Sequence, residues 1–230
     1  MPETPSLVEQ AFTRLRKDVL LGSFAAGGKL KIDELQVAYG LSSSPLREAL
    51  SRLAQEGLVR ADRRRGFRVA PITAEDMADI TRMRLMLDVQ ALGDAMACGD
   101  DGWEAAIVAA FYRLEKVESR IGEGPTMLDD EWSSLHREFH AALIAACPSP
   151  RQRAWSASLF DQAERYRRYS SSQRRTLRSK TNEHKKIMDA ALKRDVKVAI
   201  ALLRDHILGT QRNVEAAFEI ISQGSTRSGA

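Results

Sequence analysis

Beyond Pro71 the chain holds no run of alternating apolar and polar residues long enough to form a strand, and this constrains the fold more than any other feature. Thr73-Ala74-Glu75-Asp76 reads as a helix start whose acidic first turn suits the helix dipole. Apolar residues at helical spacing then predict helices over about 75–98, 103–121, 129–146, 150–170, 174–193 and 195–221. Breaks fall at Gly99 to Gly102, at Gly122 to Pro125 and at Cys147-Pro148-Ser149-Pro150. Helices joined by such short links pack as an antiparallel bundle. The end of the chain, Ser222 to Ala230, is rich in Ser and Gly and is expected to fray.

The first third follows a different pattern. Leu7, Ala11, Leu15 and Val19 give one apolar helix face between Ser6 and Leu21, and Gly22 ends it. A short helix is expected from Asp33, its N-cap, to Tyr39, with Gly40 closing it. One of Ser42, Ser43 and Ser44 caps the next helix, Pro45 sits in its first turn, and Leu46, Ala49, Leu50 and Leu53 form its buried stripe. Leu58–Ala61 and Phe67–Val69, either side of Asp62–Gly66, read as a β-hairpin. Helix, helix, turn, helix, hairpin is the order of a winged helix-turn-helix, whose recognition helix enters the DNA major groove. The expected fold class is mainly α, with a winged helix-turn-helix over 1–72, an all-helical bundle over 73–222 and a flexible tail over 223–230.

Charge divides along the same line. Residues 1–72 carry 12 Lys and Arg against 8 Asp and Glu, while the remainder carries 23 of each, so the head holds the whole excess of +4. A basic head on a neutral body suits polyanion binding. With no apolar run near the length of a membrane helix and no secretion signal, the expected location is cytoplasmic, without membrane association. Cys98 and Cys147 lack CxxC spacing, fit a reducing compartment and are expected to be small core residues.

The string Ser42-Ser-Ser-Pro-Leu-Arg-Glu-Ala-Leu50, then Ser51-Arg52-Leu53 and Glu56-Gly57-Leu58-Val59, resembles the helix-turn-helix signature of GntR-family transcription regulators. The resemblance extends back to Gly22 and Lys29-Leu30 and forward to Arg64-Arg65-Gly66-Phe67-Arg68-Val69. The Ser hydroxyls at the helix N-terminus suit phosphate oxygens. Arg47 can reach guanine O6 and N7, its alternative being a salt bridge, and Arg52 either contacts DNA or faces solvent. Gly66 lets the wing tip approach the backbone, where Arg63, Arg64, Arg65 and Arg68 supply charge. Many family members have Arg where Ser43 stands, so a different operator sequence is expected.

All four histidines lie in the helical part. His136 and His140 are four apart, so both rings leave one helix face, the spacing by which a helix offers two metal ligands. His184 and His206 each have apolar neighbours at helical spacing and could point inward, as partly buried helical histidines commonly do. The helical part resembles the FCD effector domain of FadR-type GntR regulators. That resemblance implies a divalent metal held by His136, His140, His184 and His206, with His136 where the family usually has Asp. Imidazole ligands point to zinc, with nickel or iron as alternatives. The resemblance also implies a small organic acid beside the metal, clamped by Arg84 unless Arg84 pairs with Asp88, with Arg165, Tyr166 and Tyr169 lining the same cavity. Pro45–Leu53, Glu131–His140 and Phe160–Arg167 are most similar to the carbon-starvation-induced regulators of this group, which implies a dicarboxylate or 2-hydroxy acid as effector.

The expected protein is therefore a ligand-responsive repressor rather than an enzyme, binding a two-fold operator as a homodimer. One alternative makes the metal itself the signal. Another is a His-ligated metalloenzyme, which lacks support because the carboxylates of a di-iron bundle and any G-x-S-x-G, P-loop or Cys-His nucleophile motif are missing.

Overall fold

The computed structural model describes residues 5–62, 66–120, 130–172 and 181–227. The chain divides into two compact units, Met1–Thr73 and Ala74–Ala230.

In the first unit α1 (Leu7–Leu21) is capped by Ser6, whose Oγ accepts from the Glu9 N–H at 3.2 Å. It ends at Gly22, whose φ of +77° only glycine adopts without strain. Strand β1 (Lys29–Leu30) leads into α2 (Ile32–Tyr39), and Gly40 turns the chain into α3 (Ser43–Gln55). Strands β2 (Val59–Asp62) and β3 (Gly66–Val69) form the expected hairpin, each starting a residue away from its expected place. Two further details depart from expectation. Helix α2 begins at Ile32 with Lys31 at the N-cap, while Asp33 sits in the first turn, where its charge faces the helix dipole. Strand β1 pairs with β3, giving an antiparallel sheet of order β1-β3-β2. Two residues are too short for any alternation to show in the sequence.

The core of this unit comes from Ala11, Leu15 and Val19 of α1 meeting Leu46, Ala49, Leu50 and Leu53 of α3, with Leu30, Leu58 and Val69 beneath. Tyr39 ties α2 to α1: its hydroxyl donates to the Asp18 carboxylate, and the Arg14 guanidinium donates to its carbonyl at 2.9 Å. Burial and the Asp18 carboxylate push the phenol well above its ordinary pKa.

The second unit is helical throughout its described residues: α4 (Ala74–Cys98), α5 (Asp101–Glu118), α6 (Asp130–Leu143), α7 (Pro150–Ser172), α8 (Thr181–Leu192) and α9 (Val196–Arg227). Helix α4 packs on α7 and α9, α5 on α6 and α8, and α8 on α9, around a core that includes Leu92, Trp103, Ile107, Leu114, Phe139, Ile187 and Leu203. The first part of the helix expected over 174–193 lies outside the described residues. Helix α9 runs into the stretch expected as a flexible tail, and residues 228–230 are not described. Cys147 is buried as expected, whereas Cys98, the last residue of α4, is exposed.

Arg194, in the turn between α8 and α9, takes the left-handed backbone conformation with φ +55°. Its guanidinium donates to the Met96 and Gly99 carbonyls at 2.5 and 2.9 Å, pairs with Glu104 at 2.6 Å and lies 4.7 Å from the Trp103 ring centroid. One side chain thus closes the end of α4, the start of α5 and the α8–α9 turn. Arg194→Ala is expected to cost about 1–3 kcal/mol, with Arg194→Lys recovering only part because an ammonium cannot span the same acceptors. Urea unfolding with an unchanged slope reads this loss.

Candidate DNA-reading surface and metal centre

The buried stripe of α3 fixes what its opposite face presents. With Pro45, Leu46, Ala49, Leu50 and Leu53 turned inward, Ser44, Arg47, Glu48 and Ser51 stand in solvent. Ser42 is the N-cap residue but caps nothing with its side chain. The side chains of Ser42, Ser43, Ser44 and Arg47 make no hydrogen bond or ion pair among the described residues. Arg47 is thus not in the salt bridge that was its alternative. Arg52 is engaged elsewhere: it donates to Glu9 Oε2 at 2.8 Å and lies 4.0 Å from the Phe12 ring centroid, fastening α3 to α1. Its side chain, tied in this way to α1, remains 39% exposed.

On the sheet, Arg68 is exposed and donates to the Gly27 carbonyl at 3.1 Å. Gly66 opens β3 at φ +80°. Arg63, Arg64 and Arg65 lie outside the described residues. The register adds two residues that the sequence did not reveal. Lys29 pairs with Arg68 across β1 and β3, and Arg60 pairs with Arg68 across β3 and β2, so three exposed cations form one row. Like charges opposed across strands destabilise a sheet, which makes the row a liability without a polyanion beside it. The signal was invisible because it depends on β1.

In the second unit the four histidines converge. Helix α6 supplies His136 and His140, α8 supplies His184 and α9 supplies His206; all are buried, and one ligating nitrogen of each lies within 4.8 Å of the others. The Nε2 atoms of His136 and His140 are 3.1 Å apart. Trp132 stacks on His136 with centroids 4.4 Å apart. Carboxylates stand behind two of the rings: Glu183 Oε2 is 3.0 Å from His206 Nδ1, and Glu118 Oε1 is 3.3 Å from His184 Nδ1. A carboxylate only accepts, so Glu183 favours a proton on Nδ1 of His206 and leaves its other nitrogen with the lone pair. Burial, then the neighbouring His206 and His184, lowers the His140 pKa well below the ordinary histidine value, so its ring is neutral at pH 7. Four imidazoles converging on one point, two of them with a carboxylate behind, are a donor set that fits a divalent transition metal.

A cavity of about 260 Å³ adjoins His140 and Phe160, with largely apolar walls that include Leu143, Ile144 and Leu203. Arg84 lines it, and the salt bridge with Asp88 that was one of its two readings is present. Its Nε donates to Asp88 Oδ2 at 2.8 Å, while its terminal nitrogens make no hydrogen bond among the described residues. Arg167, which the sequence did not mark, is fully buried beside Arg84; the two guanidiniums lie 4.3 and 5.1 Å from the Phe160 ring centroid. Burial lowers the Arg167 pKa, opposed by Glu164, to which it donates at 2.7 Å. Arg165, Tyr166 and Tyr169 do not line this cavity. At about 100° per residue they lie roughly 120–180° around α7 from Phe160. Tyr166 instead donates to Asp76 at 2.6 Å and Tyr169 packs on Phe218.

Residues 7–69 match the gntR family of bacterial regulatory proteins, and residues 79–209 match the FCD domain. The chain belongs to the GntR family. It is 39% identical over 202 residues to the uncharacterized HTH-type transcriptional regulator BphR of Paraburkholderia xenovorans, covering 88% of this chain and 82% of that one. It is 35% identical to the HTH-type transcriptional repressor GlaR of Escherichia coli, covering 84% and 89%. In fold it is similar to E. coli McbR/YncC, with a TM-score of 0.76 at 19% identity over 95% of this chain and 100% of that one. As a GntR regulator of FCD type it is a DNA-binding transcription regulator and not an enzyme. No helix among the described residues is long and apolar enough to cross a membrane.

Arg47→Ala is expected to lower operator discrimination by about 1–3 kcal/mol. Arg60→Ala and Lys29→Ala should instead weaken operator and random duplex alike and flatten the salt dependence. Arg52→Ala should lower the melting temperature of the head without relaxing sequence preference. Fluorescence anisotropy at several salt concentrations separates the three.

Proposed function

We propose that the protein is a homodimeric repressor whose helical domain holds a divalent metal, zinc in the first instance, and a small organic acid that alters operator affinity. The supporting observation is the meeting of four buried imidazoles with a cavity into which Arg84 turns its unengaged terminal nitrogens. His136, His140, His184 and His206 are the residues that would hold the metal, which when bound supplies a Lewis-acid site for an oxygen of the acid. Arg84 is built to take a carboxylate through two nitrogens, with Asp88 fixing the guanidinium from behind. Phe160 and the aliphatic wall lower the polarity beside Arg84, which strengthens that ion pair. A dicarboxylate or a 2-hydroxy acid fits this set of groups. Repression is the sense carried by the name of the GlaR relative. One winged head covers one half-site, so two chains on a two-fold operator supply useful affinity. The acid acts only to the extent that it binds the DNA-competent and DNA-incompetent states unequally.

His140→Ala is expected to take zinc from one per chain to substoichiometric levels by elemental analysis, and Glu118→Gln to weaken zinc by about 10–100-fold. In anisotropy titrations of zinc-loaded protein on its operator, small carboxylic acids should shift the midpoint. An unchanged midpoint across the panel, together with affinity that follows zinc alone, would make the metal the signal.

A further inference from the structure

The cavity beside His140 spans two helical turns. One layer holds Arg84, His140 and Phe160, and one turn away on the same helices stand Asp88, Ile144 and Ser156. Helices α4 and α6 step four residues forward between the layers while α7 steps four back, so they are about 5–6 Å apart. Gln152 of α7 donates to the Leu87 carbonyl of α4 at 2.9 Å and holds these two helices in register at the second layer.

That second layer contains two buried polar atoms without a hydrogen bond. Asp88 Oδ2 is committed to Arg84, but Asp88 Oδ1 has no partner, and neither has the hydroxyl of Ser156. Asp88 is 6% exposed and Ser156 is 3% exposed, so solvent does not readily serve them. Buried polar atoms in native proteins are normally satisfied, and the two residues that carry these atoms line the cavity.

We infer that the cavity selects an acid carrying an uncharged hydroxyl about one helical turn from its carboxylate. The hydroxyl donates to Asp88 Oδ1 and accepts from Ser156 Oγ, while the carboxylate meets the terminal nitrogens of Arg84. This rests on the cavity being the effector site and, within it, sets an acid with a distant hydroxyl ahead of the dicarboxylate or 2-hydroxy acid named above. A second carboxylate at that level would set like charge against Asp88. An ammonium has no lone pair with which to accept from Ser156 Oγ. The other cations at the cavity are occupied: Arg153 is exposed and donates to the Ala145 carbonyl at 2.6 Å, and Arg137 pairs with Asp161 at 2.7 Å.

Four acids of equal chain length test this: pentanoate, 5-hydroxypentanoate, 5-aminopentanoate and glutarate, titrated calorimetrically into the zinc-loaded full-length protein. The hydroxy acid should bind at least about tenfold tighter than each of the others, because a site with unmet polar groups rejects analogues that leave them unmet. Ser156→Ala, which removes one oxygen and adds no bulk, should cut its lead over pentanoate to within about twofold. Glutarate or pentanoate binding as tightly as the hydroxy acid overturns the inference while leaving the effector site standing. So does a lead that survives Ser156→Ala. Binding of none of the four overturns both.

Discussion

Four imidazoles meet inside the helical bundle, and His140, the one that burial and its histidine neighbours hold well below its ordinary pKa, is uncharged there. A proton on His140 would bring a positive charge against His206, His184, Arg84 and Arg167, in a place where burial already penalises charge. Carboxylates at Glu118 and Glu183 stand behind the rings, and Trp132, Phe139 and Phe160 pack around them. The two buried guanidiniums are each matched by a carboxylate on the same helix, Asp88 at i+4 and Glu164 at i−3. The cluster is therefore a set of nitrogen donors in a frame whose buried guanidiniums are matched by carboxylates, a surrounding that suits a divalent metal.

The sequence revealed this centre in part. His136 and His140 were legible because a spacing of four on one helix is a local fact. That His184 and His206 join them depends on how α8 and α9 cross α6, and only the resemblance to the FCD domain pointed that way. The supporting groups were not legible. Glu118 and Glu183 are ordinary acidic residues of charged helices until the fold sets them behind a ring. Arg167 reads as one member of an arginine-rich stretch until burial singles it out. Arg165, Tyr166 and Tyr169, expected at the cavity, are carried off the Phe160 face by the turn of the helix. Residues five, six and nine positions from Phe160 cannot share its face.

In the head the order of elements could be read almost entirely from apolar spacing and glycine punctuation. What the sequence left out was pairing. A strand of two residues has no periodicity, so β1 and the basic row it completes emerged only with the register. Arg52 shows the reverse limit: its place in a basic segment suggested an outward role, whereas Glu9 and Phe12 of another helix hold it.

The row of Lys29, Arg68 and Arg60 carries a thermodynamic corollary. Three cations fixed side by side repel one another whenever no duplex lies against them, so dissolved anions collect there and partly relieve the strain on the sheet. Raising ionic strength therefore acts in opposite directions on one set of side chains. It firms the wing of the free protein and loosens its hold on the phosphate backbone.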